Sequence, residues 1–157
     1  MSYNKKSLYI CATVHARGGS KGLKKKKKKK FCGKPLISHS IKIARSIKKI
    51  NKIIVSTDSK KIAKISKQFK SEVCIRPKNL AHDKADIWKS WQHLMKFLKK
   101  NNDKMPDLIV DIPTTSPLRN KEDLNKSIEK FLKNKKSDIL LTVVEARRNP
   151  YFNMVKV

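Results

Sequence analysis

The chain has 157 residues, 38% of them hydrophobic, which is enough for one domain with a packed core. Its formal net charge of +28 draws it to polyanions at low salt whatever its specific work. Three cysteines with no CxxC spacing argue against a disulfide framework and a metal site, and no stretch is long and apolar enough to span a membrane.

Lys, Ile and Asn are abundant while Ala, Gly and Arg are scarce, the pattern of an AT-rich genome. Most of the lysines fall on the polar side of periodic segments, so drift accounts for most of the charge. The start, "MSYNKKSLYICATV", lacks a small-residue cleavage site, so no signal peptide is expected and a cytoplasmic location is.

Strands and helices alternate along the chain. "LYICATV", residues 8–14, is an apolar run ending in a Gly-rich turn and reads as a buried strand. "PLISHSIKIARSI" carries Leu36, Ile37, Ile41, Ala44 and Ile47 at helical spacing, with Pro35 suited to the first turn. Residues 52–58, "KIIVSTD", form the next strand. Ser59 then caps a helix whose face holds Ile62, Ile65 and Phe69. "EVCI" is a short strand, and "DIWKSWQHLMKFLKK" is a helix with Ile87, Trp91, Leu94, Met95 and Leu98 on one stripe. "DLIVDIP" is a strand stopped by Pro113. "KEDLNKSIEKFLKN" is a helix with Leu124, Ile128, Phe131 and Leu132 inward, and "SDILLTVVEA" is a final strand. This alternation predicts an α/β fold with a mostly parallel sheet and helices on both faces. Ligands of such sheets bind beyond the carboxyl ends of the strands.

Four segments sit at those ends. "HARGGSKG", residues 15–22, follows the first strand. Gly18, Gly19 and Gly22 are free to take positive φ and bring backbone close to a ligand. Successive N–H groups in such a turn make an anion nest, with Arg17 as a fork, Lys21 as a point charge and Ser20 as a hydroxyl. It is neither a Walker A loop nor GxGxxG. In "VSTDS", Ser59 reads as a helix cap, and Asp58 stays open between cap and ligand contact. In "IRPKNLAHD", Arg76 ends a strand before Pro77, and spacing leaves a ligand contact and a surface arginine about equal. In "DIPTTSPLR", two prolines bracket hydroxyl residues that end on Arg119.

The ordered set "ARGGSKG", "GKPLI", "VSTDS–IA", "RPKNLA–D", "TSPLR" and "NPY" resembles the acylneuraminate cytidylyltransferases, the CMP-sialic acid synthetases and their relatives, over nearly the whole chain. The resemblance implies a Rossmann-like nucleotide-diphospho-sugar transferase fold, here a single domain over residues 1–157. It implies transfer of CMP from CTP to an acidic nine-carbon (nonulosonic) sugar with release of pyrophosphate, magnesium as cofactor, and a homodimer.

Carried over by position, Ala16, Arg17, Gly18, Gly19, Ser20 and Lys21 would hold the triphosphate, with Arg17 and Lys21 as the catalytic cations. Arg76 and the backbone near Ala81 would read cytosine. Thr115, Ser116 and Arg119 would face the sugar. The octulosonic acids are the least expected substrates.

Three departures stand out. Lys27 occupies the place of an expected nucleotide-touching Asn, inside a run of seven lysines at residues 24–30. Lys cannot accept as Asn does, and the like charges repel. The run is either a degraded site or a misread codon run. Pro113 stands where the family pattern has Gln. The sequence also reads as lacking the C-terminal third, where the metal-binding aspartates are expected, so no metal ligand is assigned within it. The alternative is an inactive relative or a basic α/β module that binds nucleic acid non-specifically through the lysine run. Trp88 and Trp91 read as core packing rather than a stacking platform.

Overall fold

Residues 7–19, 30–82 and 84–143 are described by the computed structural model, and they fall into two compact units, Met1–Lys121 and Glu122–Val157. In the first unit, β1 (Ile10–His15), β4 (Lys52–Thr57), β5 (Glu72–Ile75) and β6 (Leu108–Asp111) form a parallel sheet in the order β5-β4-β1-β6. The register sets Thr13 beside Ile54 and Asp111, and Ser56 beside His15 and Cys74. A small hairpin, β2 (Lys30–Phe31) and β3 (Lys34–Pro35), precedes the first helix. Its two turn residues, Cys32 and Gly33, both have positive φ, the geometry of a tight hairpin turn.

The helices are α1 (Leu36–Ser46), α2 (Lys60–Gln68) and α3 (Ile87–Lys100), with a 3-10 turn at Lys78–Leu80. Pro35 lies just before α1 and presets its entry with φ −55°. Ser59 caps α2, its hydroxyl accepting from the amide of Ile62 at 3.5 Å, and Asp86 caps α3 through the amide of Trp88 at 2.9 Å.

Side chains alternate across each strand, so the two faces of the sheet are distinct. One face presents Cys11, Ile54 and Cys74, and α3 covers it with Leu94 and Leu98. Ala12, Val14 and Val55 point the other way and are buried where α1 and α2 contact the strands and each other. That arrangement follows from connectivity. β1, β4 and β5 step outward in one direction through α1 and α2, and the chain then returns to the far side of β1 through α3. Right-handed crossovers in opposite directions place their helices on opposite faces. Helices on both faces of a parallel sheet are what the alternation predicts.

At the amino end of β4, Lys52 Nζ bridges Glu72 Oε2 and Asp103 Oδ1, each at 2.8 Å. Burial works against this cation, but the two carboxylates prevail and carry its pKa up to about 12.

The second unit contains α4 (Lys121–Lys133) almost entirely, with Leu124 and Ile128 buried. The final strand expected over residues 137–146 is not formed in its described part, 137–143, and residues 144–146 lie outside the described residues. A strand exists through its neighbour's hydrogen bonds. Without that pairing Ile139, Leu141 and Val143 stand exposed.

Candidate active site

The carboxyl end of β4 brackets the segments on either side of it. Its carbonyls accept from both neighbours: Ser56 from the amide of Ala16 at 3.0 Å, and Thr57 from the amide of Arg76 at 2.8 Å. Beyond the strand, Asp58 Oδ1 accepts from the amide of Gly18 at 2.7 Å. The glycine turn after β1 and the arginine after β5 are therefore both moored to "STDS", although they are far apart in sequence.

The two described glycines of the turn differ. A Cβ on Gly18 would lie 3.1 Å from the Cβ of Ser59 and 3.5 Å from Asp58 Oδ2, whereas a Cβ on Gly19 would meet nothing within 4 Å among the described residues. Neither has the positive φ that the sequence leaves open to them. Gly18 is needed for close approach to the β4 end, and Gly19 borders open space. Arg17 beside them is half-buried. Ser20, Lys21 and Lys27 lie outside the described residues.

Arg76 is only 6% exposed, so it is not the surface arginine that spacing alone allowed. Its Nη1 donates to Ser90 Oγ of α3 at 2.9 Å, while its Nε is buried and meets no acceptor among the described residues. Burial lowers its pKa, Asp58 supports the cation, and Arg17 opposes it. That opposition means the charge of Arg17 is felt at Arg76, so the phosphate turn and the arginine share one electrostatic neighbourhood. Ala81 is half-buried, and its amide is already committed to the carbonyl of Lys78 at 2.9 Å.

On the far side of β1, Thr13 Oγ1 donates to Asp111 Oδ1 at 2.9 Å, and His15 Nε2 lies 3.9 Å from the same oxygen. Burial lowers the pKa of half-buried Arg119, and Asp111 works against that. Thr115 and Ser116 are exposed, but Thr114 beside them is buried. His15 also meets the edge of Trp91, which in turn meets Trp88 with ring centroids 4.8 Å apart. Trp88 is 55% exposed and Trp91 half-buried, so the pair packs over the strand end rather than in the core.

Three guanidiniums, Arg17, Arg76 and Arg119, thus gather along the carboxyl edge with the carboxylates of Asp58 and Asp111 beside them. Sequence reasoning singled out all three arginines. It left Asp58 open and did not find Ser90, whose only signal is that it sits one residue from the apolar stripe of α3. Burial pushes the Cys74 thiol up to about 11, so it is protonated at neutral pH and is no nucleophile. A depression on α4 lined by Lys126, Glu129, Lys130 and Lys133 holds none of these residues and is a solvated, charged helix face. No group of three His, Cys, Asp or Glu able to hold a metal ion occurs among the described residues.

A parallel sheet flanked by helices, with a glycine turn and a buried arginine at its carboxyl edge, defines a Rossmann-like nucleotidyltransferase fold. The chain belongs to the cytidylyltransferase family, whose family model, described as "Cytidylyltransferase", matches residues 11–157. It is 37% identical over 151 residues to the post-translational flagellin modification protein B of Campylobacter coli, covering 94% of this chain and 63% of that protein. It is 33% identical over 122 residues to the pseudaminic acid cytidylyltransferase of Campylobacter jejuni subsp. jejuni, covering 77% of this chain and 52% of that protein. Its fold is similar to that of a CMP:2-keto-3-deoxy-manno-octonic acid synthetase complexed with CTP, with a TM-score of 0.66 at 17% identity over 82% of this chain and 49% of that one. The chain thus spans about half to just under two thirds of the length of these two curated relatives.

Proposed function

We propose that the protein transfers CMP from CTP to an acidic nonulosonic sugar, releasing pyrophosphate. The observation that carries this reading is the mooring of the glycine turn and Arg76 to one strand end, with the guanidinium of Arg76 nearly buried and its Nε without an acceptor among the described residues. A buried cation with an unmet donor is costly unless a ligand completes it.

In this reading the turn at residues 16–19, with Ser20 and Lys21, takes the triphosphate. Arg76 donates to the acceptor edge of the base. The α-phosphorus lies toward β1 and β6, where Arg119 with Thr115 and Ser116 receives the sugar carboxylate. The sugar's anomeric hydroxyl forms the new O–P bond, the bond to the β-phosphate breaks, and the hydroxyl proton is released. Reactions of this kind depend on positioning and on neutralising charge that develops on non-bridging oxygens, which Arg17 and Lys21 supply.

A nine-carbon acid of the pseudaminic type, destined for a surface glycan, is the substrate class we favour, on the name of the pseudaminic acid cytidylyltransferase relative. A cytoplasmic location, where CTP is made, goes with this reading. Magnesium is proposed as the companion of the triphosphate. That ion is ordinarily held by one or two carboxylates and by substrate phosphates. The described residues offer no three-residue cage for it, and no step here runs through it.

The test is product analysis with CTP, magnesium and a panel of nonulosonic acids. CMP-sugar and pyrophosphate in equal amounts, lost in Arg17→Ala, support the reading. CTP consumption without a CMP-sugar, for every acid offered, refutes it.

A further inference from the structure

We propose that Asp58 is the positioning residue of the site: a fixed carboxylate that locks the glycine turn through Gly18. The inference rests on the nucleotide reading above and adds to it a residue that contacts neither reactant.

Three observations carry it. First, the Gly18 amide donates to Asp58 Oδ1 at 2.7 Å in a part-buried setting. Hydrogen bonds to an ionised acceptor are short and roughly twice as strong as neutral ones. Second, the turn is seated on this corner as well as bonded to it, because a Cβ on Gly18 would press to 3.1 Å from the Cβ of Ser59, tighter than an ordinary contact. Ser59 is itself held, its amide donating to Thr57 Oγ1 at 3.1 Å while its hydroxyl caps α2. The seat is therefore part of the sheet–helix framework. Third, the same carboxylate favours the charged form of Arg76, whose burial works the other way.

One consequence concerns which amides are available. An anion nest works by pointing several N–H groups at one ligand. The amide of Gly18 is already taken by Asp58, so it is not one of them. Gly19, which borders open space, begins the ligand-facing part of the turn. The carboxylate thus divides the two glycines, Gly18 as anchor and Gly19 as face. A negative group this near a triphosphate site would ordinarily repel the ligand. Here it is spent on the Gly18 amide, and the gain is a turn that need not be ordered when the nucleotide arrives.

The experiment compares wild type, Asp58→Ala and Asp58→Asn by amide hydrogen exchange at Gly18 and by CTP calorimetry, with overall folding checked by circular dichroism. Asparagine keeps an oxygen that accepts from the Gly18 amide but carries no charge. Loss of a charged hydrogen bond predicts about tenfold faster Gly18 exchange and about tenfold weaker CTP binding in D58A. D58N restores Gly18 protection to within about threefold of wild type, because its amide oxygen takes over as acceptor. Unchanged Gly18 exchange in a folded D58A overturns the proposal, and so does a folded D58N that exchanges as fast as D58A. A wild-type protein that binds no CTP, yet loses Gly18 protection in D58A, refutes the nucleotide reading while the Asp58 anchor stands.

Discussion

Arg76, at the end of β5, reaches across to α3 and donates from Nη1 to Ser90 Oγ at 2.9 Å. Both residues are buried, and Ser90 is the one hydrogen-bond partner of the Arg76 side chain among the described residues. Ser90→Ala takes an acceptor from a buried cation. Leaving such a donor unmet costs about 1.5–3 kcal/mol, to be read from urea unfolding. CTP affinity should fall as well, since Arg76 loses the contact that aims its guanidinium. A variant with wild-type stability and wild-type affinity would show that Ser90 is a bystander.

The two glycines of the turn should respond differently to one added methyl. Neither has a φ in the left-handed range, so the comparison reads space alone. Gly18→Ala forces a Cβ to 3.1 Å from the Cβ of Ser59. Crowding of this kind costs about 1–3 kcal/mol. Gly19→Ala enters open space and should change stability by less than about 0.5 kcal/mol. Thermal unfolding of the pair decides it, and equal effects would contradict the seating of Gly18 against β4.

The buried side of α3 carries a pH dependence. Burial, and then the charges of Arg76 and Lys96, lower the pKa of His93 below its ordinary 6.5, and its Nδ1 lies 3.5 Å from Cys74 Sγ. The unfolded chain therefore takes up the proton first as pH falls. Stability is retained above about pH 6.5 and declines below it, until the folded form is protonated too. His93→Gln should flatten that part of the urea-midpoint profile between neutral and mildly acidic pH. A profile with the same slope in both proteins would assign the acid sensitivity to other groups.

The helices were legible because their apolar residues recur at helical spacing. The stripe from Ile87 to Leu98 delivers Leu94 and Leu98 to the core, as their spacing predicts. The hairpin at residues 30–35 was not legible, because two-residue strands have no period and its turn puts a cysteine, not an asparagine or a first glycine, at positive φ. The strand expected over 137–146 had the right composition, but composition cannot supply a neighbour.

At the site, residue type and place marked Arg17, Arg76 and Arg119 at strand ends. The burial of Arg76 was not readable, since an arginine before a proline is common on surfaces. Nor was the role of Asp58. Its partner Gly18 lies 40 residues away, and only the register of β1 against β4 brings them together.

The most direct test of the central claim is calorimetric titration of the whole chain with CTP, UTP and ATP in the presence of magnesium, at moderate and at high salt. The account predicts saturable binding that favours CTP and survives high salt, because buried Arg76 and the moored turn recognise a defined ligand. Weak binding that is equal for the three nucleotides and vanishes with salt would contradict it, and would assign the interaction to the protein's diffuse positive charge.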